Sequence, residues 1–359
     1  MKKIIPYLFI GYITISMLLF PESSISYAKD GLRICWEIII PSLFPFFVCS
    51  GLLTYSGFAK TLAKFSSPIM KPLFNVGGSG ALAFVLGIIS GYPLGAVTVC
   101  NLYESGYLSK TEAERLLAFC NNSGPLFILG SIGVSIYASV RIGVALYISH
   151  ILASITVGII FRFYKQNSHN APKYSLNQLD LSFSEVFAEV LSKSLNSILT
   201  VCGAIVFFSV VTGIFNASLP QNQWFSSFLA GILELTGGTR LISQTDLPLL
   251  IKIVLSAFTV GFAGICVHLQ VIAIVRKQTL SIAPYILGKF LHGIFAAFYT
   301  FLYLKLFMSS EIVFKNTQDA VPAGFCMASA YSVISIFLIL VLTGLIIFFA
   351  RAATKKYRF

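Results

Sequence analysis

Acidic side chains are scarce in this sequence: Asp and Glu together number 13 among 359 residues, and charged residues of both signs make up 11%. A membrane-embedded hydrolase or an ATP-driven pump would lack its usual parts, since HExxH, GxSxG and a phosphate-binding loop are also missing. The expectation is a protein that is not an enzyme and holds no cofactor, so that any transport it performs draws on a gradient or is passive. Cysteine chemistry is absent in the same sense. Cys35, Cys49, Cys100, Cys120, Cys202, Cys266 and Cys326 lie singly in or beside apolar runs, with no CxxC and no metal-ligand spacing. They read as small buried apolar residues. No low-complexity segment or soluble domain is visible.

Apolar residues are abundant instead. They make up 57% of the chain, and the mean hydropathy is +0.86. Such a composition cannot fold around one water-facing surface, so the fold class is all-α and polytopic, with about eight to ten transmembrane or re-entrant helices. Spans are expected near 4–20, 34–57, 79–103, 141–163, 185–215, 249–275, 284–308 and 322–350. The pieces at 59–78, 113–139 and 226–244 could be re-entrant hairpins, interfacial helices or further spans. Lys2-Lys3, an apolar stretch and Ser26-Tyr27-Ala28 have the outline of a signal peptide, but a retained first span fits a chain this apolar better.

A net charge of +12 would point to nucleic acid in a soluble protein. Here the basic residues flank apolar segments, as the positive-inside bias requires. That bias places Lys2, Lys3, Lys60, Lys64, Lys71, Arg162, Lys165, Lys173, Arg276, Lys277 and the tail Arg351 to Arg358 inside, and the loops at 21–31, 104–114, 216–224 and 309–320 outside. Expected partners are therefore membrane lipids and a small-molecule solute, with no nucleic acid.

Two apolar segments are interrupted by turn formers, at Ser90-Gly91-Tyr92-Pro93-Leu94-Gly95 and at Gly261-Phe262-Ala263-Gly264. Ala83-Phe84 and Gly87 are answered by Ala257-Phe258 and Gly261, and Phe65-Ser66-Ser67, Leu73 and Gly77-Gly78 by Phe225-Ser226-Ser227, Leu233 and Gly237-Gly238. Phe46-Phe47 likewise pairs with Phe207-Phe208. The expectation is an internal repeat, inverted because the helices at 34–57 and 185–215 would run in opposite directions. The expected organisation is an N-terminal span at 1–30, a first repeat at 31–164, a polar cytoplasmic linker at 165–183, a second repeat at 184–310, and a C-terminal span with a basic tail at 311–359. Interrupted segments at corresponding places in two halves point to a transporter's binding site, because unwound backbone exposes polar groups that can hold a solute.

The candidate site follows from that reasoning. Ser90, Gly91, Tyr92 and Pro93 form the first break; Pro93 lacks a backbone donor and Gly91 allows close backbone approach. Asn121, Asn122 and Ser123 offer donors and acceptors suited to a polar organic solute, just after a helix that Ser109 and Glu112 would open as a capping box. In the second half Glu234, Thr236, Gly237, Arg240, Gly264, His268 and Gln270 are polar or turn-forming residues in or beside apolar sequence, and ionisable groups there are functional candidates by default. Arg240 could fork onto a substrate carboxylate, pair with Glu234 or snorkel to the interface. His268 could relay a proton or make a structural hydrogen bond.

The run Ser90-Gly91-Tyr92-Pro93-Leu94-Gly95-Ala96, with Leu102-Tyr103-Glu104 and Glu112-Ala113-Glu114-Arg115-Leu116-Leu117-Ala118-Phe119-Cys120-Asn121-Asn122-Ser123-Gly124-Pro125-Leu126-Phe127, resembles the sporulation integral membrane proteins of the YlbJ type. Gly264 to Gln270 is the matching signature of the second half. The resemblance implies gate, or nucleoside-recognition, domains related to those of concentrative nucleoside transporters. It further implies a multi-pass transporter in the cell membrane of an endospore former, including the outer forespore membrane, with dipicolinate as the leading solute; a gradient-driven carrier would take H+ or Na+ as its coupling ion. A nucleoside-type transporter, or a non-transporting scaffold or regulator of sporulation, stays open beside it.

Overall fold

A computed structural model describes residues 4–56, 58–165, 183–218 and 224–307. The expected span at 322–350, the basic tail and most of the linker lie outside these residues. Secondary structure is helical throughout the described residues. Lipid offers no partner for backbone N–H and C=O groups, and helices satisfy them internally. Stretches Val140–Phe161, Phe183–Phe215, Leu249–Val275 and Ala283–Phe307 are long and apolar enough to cross a bilayer, and the chain is a multi-pass integral membrane protein of all-α class.

Helix α1 (Ile4–Leu19) is followed by α2 (Pro21–Ile34), which Pro21 opens and which passes through a π-helical stretch, Cys35–Ile39, into α3 (Ile40–Tyr55). Helix α4 (Phe58–Phe74) buries Ala59, Met70 and Phe74 and exposes Lys60, Lys64 and Lys71, the pattern of a helix lying in the membrane interface. Then come α5 (Gly80–Ser90), α6 (Leu94–Glu104), α7 (Lys110–Leu117), a π-helical segment Leu126–Ile136, and α8 (Val140–Phe161). The second half holds α9 (Phe183–Ser218), α10 (Trp224–Leu233), α11 (Leu235–Ser243), α12 (Leu249–Phe262), α13 (Gly264–Val275) and α14 (Ala283–Phe307). Helix α9 runs antiparallel to α2 and α3: Gly31 meets Val206 and Ser209, Tyr27 covers Gly213, and Gly51 meets Val190.

The expected span at 79–103 is not a span. Helices α5 and α6 have 11 residues each, about 16 Å of helix against a core of about 30 Å. They fold back on each other, so that a Cβ on Gly87 would stand 3.3 Å from the Cα of Gly95. The pair is a re-entrant hairpin with Gly91-Tyr92-Pro93 at its tip. The segment at 226–244 is a second hairpin: α10 and α11 pack so closely that a Cβ on Gly238 would lie 2.0 Å from the Cα of Gly231. By contrast, α7 and Leu126–Ile136 do not fold back on each other, nor do α12 and α13. These are helices interrupted at 118–125 and at Ala263, whose φ is 76°. Each half therefore carries a hairpin, an interrupted helix and a long helix, though in the second half α9 precedes them. The sequence match had aligned 79–103 with 249–275, a hairpin with an interrupted helix. Both demand Gly where backbones approach, which produces the same Ala-Phe-x-x-Gly pattern in two different elements.

Charged residues at the start of α7 fix the first interrupted helix. Ser109 and Glu112 form the expected capping box, and Glu112 also accepts from the Gly77 amide at 2.7 Å. Buried Arg115 donates to the carbonyls of Tyr164, at 2.9 and 2.7 Å, and of Asn75, at 2.6 Å. The wholly buried Glu114 accepts from Lys165 Nζ at 2.8 Å and from the Ser281 amide at 2.9 Å. That bond raises the Lys165 pKa above the ordinary lysine value, so its contribution to stability holds below the lysine range and fades only above it. Glu114→Ala orphans three donors, Lys165 Nζ, the Ser281 amide and the Tyr164 hydroxyl at 3.2 Å, and because Lys165 is half exposed the expected cost is about 2 kcal/mol, below the range for a fully buried pair. Thermal unfolding in detergent measures it.

Candidate functional site

Each hairpin tip sits on an interrupted helix. At the first crossing Gly91, with φ 91°, lies so close to the 118–125 turn that a Cβ would be 2.8 Å from the Gly124 amide nitrogen. A Cβ on Gly87 or Gly95 would fall 1.9 or 2.1 Å from the Cys120 carbonyl oxygen. At the second crossing Gly264, with φ 70°, meets the hairpin tip, its would-be Cβ 3.3 Å from both Leu233 O and Leu235 N. Helix α13 packs against α6 and α10, which sets the two crossings side by side; Tyr92 is within electrostatic reach of Glu234 and Cys266. Helices α6 and α13 both begin here without a side-chain cap. Their N-termini bring partial positive charge to the crossing.

Buried polar atoms without partners gather around these tips. Asn121, Asn122, Ser123 and His268 are buried. Ser90 Oγ, Tyr92 OH, both amide atoms of Asn121, Asn122 Oδ1, Ser123 Oγ and His268 Nε2 make no hydrogen bond of good geometry among the described residues, although Tyr92 faces Ser123 and Tyr285 faces Asn121. Such groups normally find partners in folded proteins, and leaving one unmade costs about 1–3 kcal/mol. The backbone around them, by contrast, is held by specific bonds. Lys289 Nζ on α14 donates to Asn121 O at 3.0 Å and lies 3.3 Å from His292 Nδ1. His292 Nε2 donates to His150 O at 3.0 Å, and His150 Nε2 accepts from the Ser123 amide at 3.0 Å. His268 Nδ1 meets Tyr285 OH at 3.0 Å.

Placement of the sequence candidates divides them. Ser90, Gly91, Tyr92, Pro93, Asn121, Asn122, Ser123, Gly264 and His268 come together at the crossings. Glu234 lies at the second tip, where its carboxylate caps α11 by accepting from the amides of Thr236 and Gly237 at 2.8 and 2.7 Å. Gln270 is buried and donates to Cys266 Sγ at 3.3 Å. Thr236 and Arg240 are exposed on α11, outside the buried cluster, and no ion pair joins Arg240 to Glu234. The sequence reading passed over His150, Tyr285, Lys289 and His292. One signal was there: Lys289 and His292 stand three residues apart in an otherwise apolar run, on one face of a helix. A separate shallow cleft between α3, α6 and α9 is lined by Tyr55, Asn101, Lys193 and Ser194, but Lys193 is already paired with Glu104 and Glu189.

Comparison with known proteins gives the family. Residues 36–208 match the Gate family, described as nucleoside recognition, a stretch running from the π-helical turn between α2 and α3 into α9. The chain is 30% identical over 353 residues to the sporulation integral membrane protein YlbJ of Bacillus subtilis (strain 168), covering 87% of this chain and 86% of that protein. No solved structure matches. At this identity, over most of both sequences, the chain belongs to the YlbJ family of sporulation integral membrane proteins.

Proposed function

We propose that this protein is a non-enzymatic solute carrier that moves a small polar organic anion, dipicolinate or a close relative, across a membrane during sporulation. The observation that carries the reading is the set of partnerless buried atoms on Ser90, Tyr92, Asn121, Asn122, Ser123 and His268 at the meeting of two hairpin tips and two interrupted helices. A bound solute would satisfy them, and the converging helix N-termini favour negative charge. The recurrence of hairpin, interrupted helix and long helix in both halves supports alternating access by two inverted repeats, driven by an H+ or Na+ gradient or running passively. The kinship with a sporulation protein supports the outer forespore membrane as the place of action.

A nucleoside is the second reading, favoured by the Gate match and by the Asn121 and Asn122 amides, which could pair with a base edge. A thermal-shift screen of the purified protein against dicarboxylates and nucleosides, followed by flux in liposomes, separates the two. Dipicolinate is expected to raise the melting temperature and to cross. Stabilisation by nucleosides alone would transfer the site to the second reading, and absence of flux for every stabilising ligand would leave a membrane scaffold.

A further inference from the structure

Lys289 is a lysine without a counter-charge. It lies wholly buried within α14, and no carboxylate stands within ion-pair distance of it among the described residues. The groups that face it are His292 from α14 itself, His150 from α8, Cys120 and the Asn121 carbonyl from the first interruption, and His268 from α13. None is an acid of carboxylate strength. Burying a cation in such surroundings is costly unless something pairs with it, and an ionisable residue kept at membrane depth marks a functional pathway.

The geometry leaves room in its bonding for one more acceptor. Once protonated, as an arriving carboxylate would favour, Lys289 has three N–H donors, and two of them have acceptors, Asn121 O and His292 Nδ1. His292 is turned for that role because its other nitrogen donates to the His150 carbonyl. His150 accepts the Ser123 amide at Nε2, so its ring proton sits on Nδ1, which has no partner. A donor on Lys289 and a donor on His150 thus remain beside the partnerless Asn121 amide and Ser123 hydroxyl.

We infer that Lys289 is the residue that recognises a carboxylate of the transported solute, its third N–H donating to a carboxylate oxygen while the neighbouring amide and hydroxyl groups take the solute's other polar atoms. The sequence had offered exposed Arg240 for this task. The inference rests on the organic-anion reading above, and its test keeps the two apart. Binding of dipicolinate and of its neutral isostere, pyridine-2,6-dicarboxamide, is measured by calorimetry on purified wild type, Lys289→Gln and Lys289→Met. Gln retains a donor toward Asn121 O without the charge. The expected result is a loss of dipicolinate affinity on the order of tens-fold in both variants, with diamide affinity little changed, so that the preference for the dianion collapses. Dipicolinate bound by Lys289→Gln as tightly as by wild type would overturn the role of Lys289 and leave the carrier reading standing. Equal losses for dianion and diamide would mark a structural lysine and overturn it too. Failure of wild type to bind dipicolinate would remove both.

Discussion

Asn121→Leu will bind solute about tenfold to a hundredfold more weakly than wild type while melting at an equal or higher temperature. The Asn121 side chain is fully buried, and neither end of its amide makes a hydrogen bond of good geometry among the described residues; Tyr285, which faces it, is already bonded to His268. A buried unmade hydrogen bond costs about 1–3 kcal/mol, so an apolar side chain of similar shape relieves the empty protein of that penalty. The same substitution removes bonds to a bound solute, which are worth about as much with the opposite sign. Lys289 contacts the Asn121 backbone carbonyl, not its side chain, so that anchor survives the change. An amide kept for folding would behave in the opposite way, and Leu would then lower both stability and affinity. Thermal unfolding and solute binding on the same preparation read out the two signs together.

Gly95→Val will abolish solute flux, because a Cβ at this position would stand 2.1 Å from the Cys120 carbonyl oxygen and 3.1 Å from the Asn121 Cα. Backbone cannot give way as a side-chain tip can. Overpacking costs about 1–3 kcal/mol and sometimes more, and here the strain is relieved only by lifting the first hairpin off the interruption that carries Asn121, Asn122 and Ser123. Gly203→Ala is the matched comparison. Gly203 lies within α9 with nothing within 4 Å of its would-be Cβ. Alanine there is expected to leave flux unchanged and to stabilise the helix by up to about 1 kcal/mol. Flux in liposomes at equal reconstituted protein distinguishes the two glycines.

Membrane class and the polar hot spots were legible in the sequence for plain physical reasons. Hydropathy reports the solvent directly, and residues such as Asn121-Asn122-Ser123-Gly124-Pro125 in an apolar chain stand out against it. The Ser109–Glu112 capping box was legible too, because it is set by neighbours three residues apart. Whether a Gly-rich break is a hairpin tip or a gap in a continuous helix was not. Gly91-Tyr92-Pro93 and Ala263-Gly264 use the same residue types, helical periodicity runs up to both, and only the packing of Gly87 on Gly95 or Gly231 on Gly238 decides that the chain turns back. Lys289 was hidden for a related reason: a single lysine in an apolar helix looks the same whether it snorkels to the interface or lies buried between His292 and Asn121. Arg240 drew attention by its charge, but it lies in the last turn of α11, where its side chain is exposed.

A carrier whose solute reaches the crossing must open Ser123, buried here, to water. The most direct measurement is alkylation of a single cysteine at position 123, in a background freed of the native cysteines, by a charged water-soluble thiol reagent applied to either face of sealed vesicles. Modification is expected from at least one face, slowed when dipicolinate is present. A cysteine at 123 that stays unmodified from both faces, yet reacts once the protein is unfolded, would contradict the carrier reading.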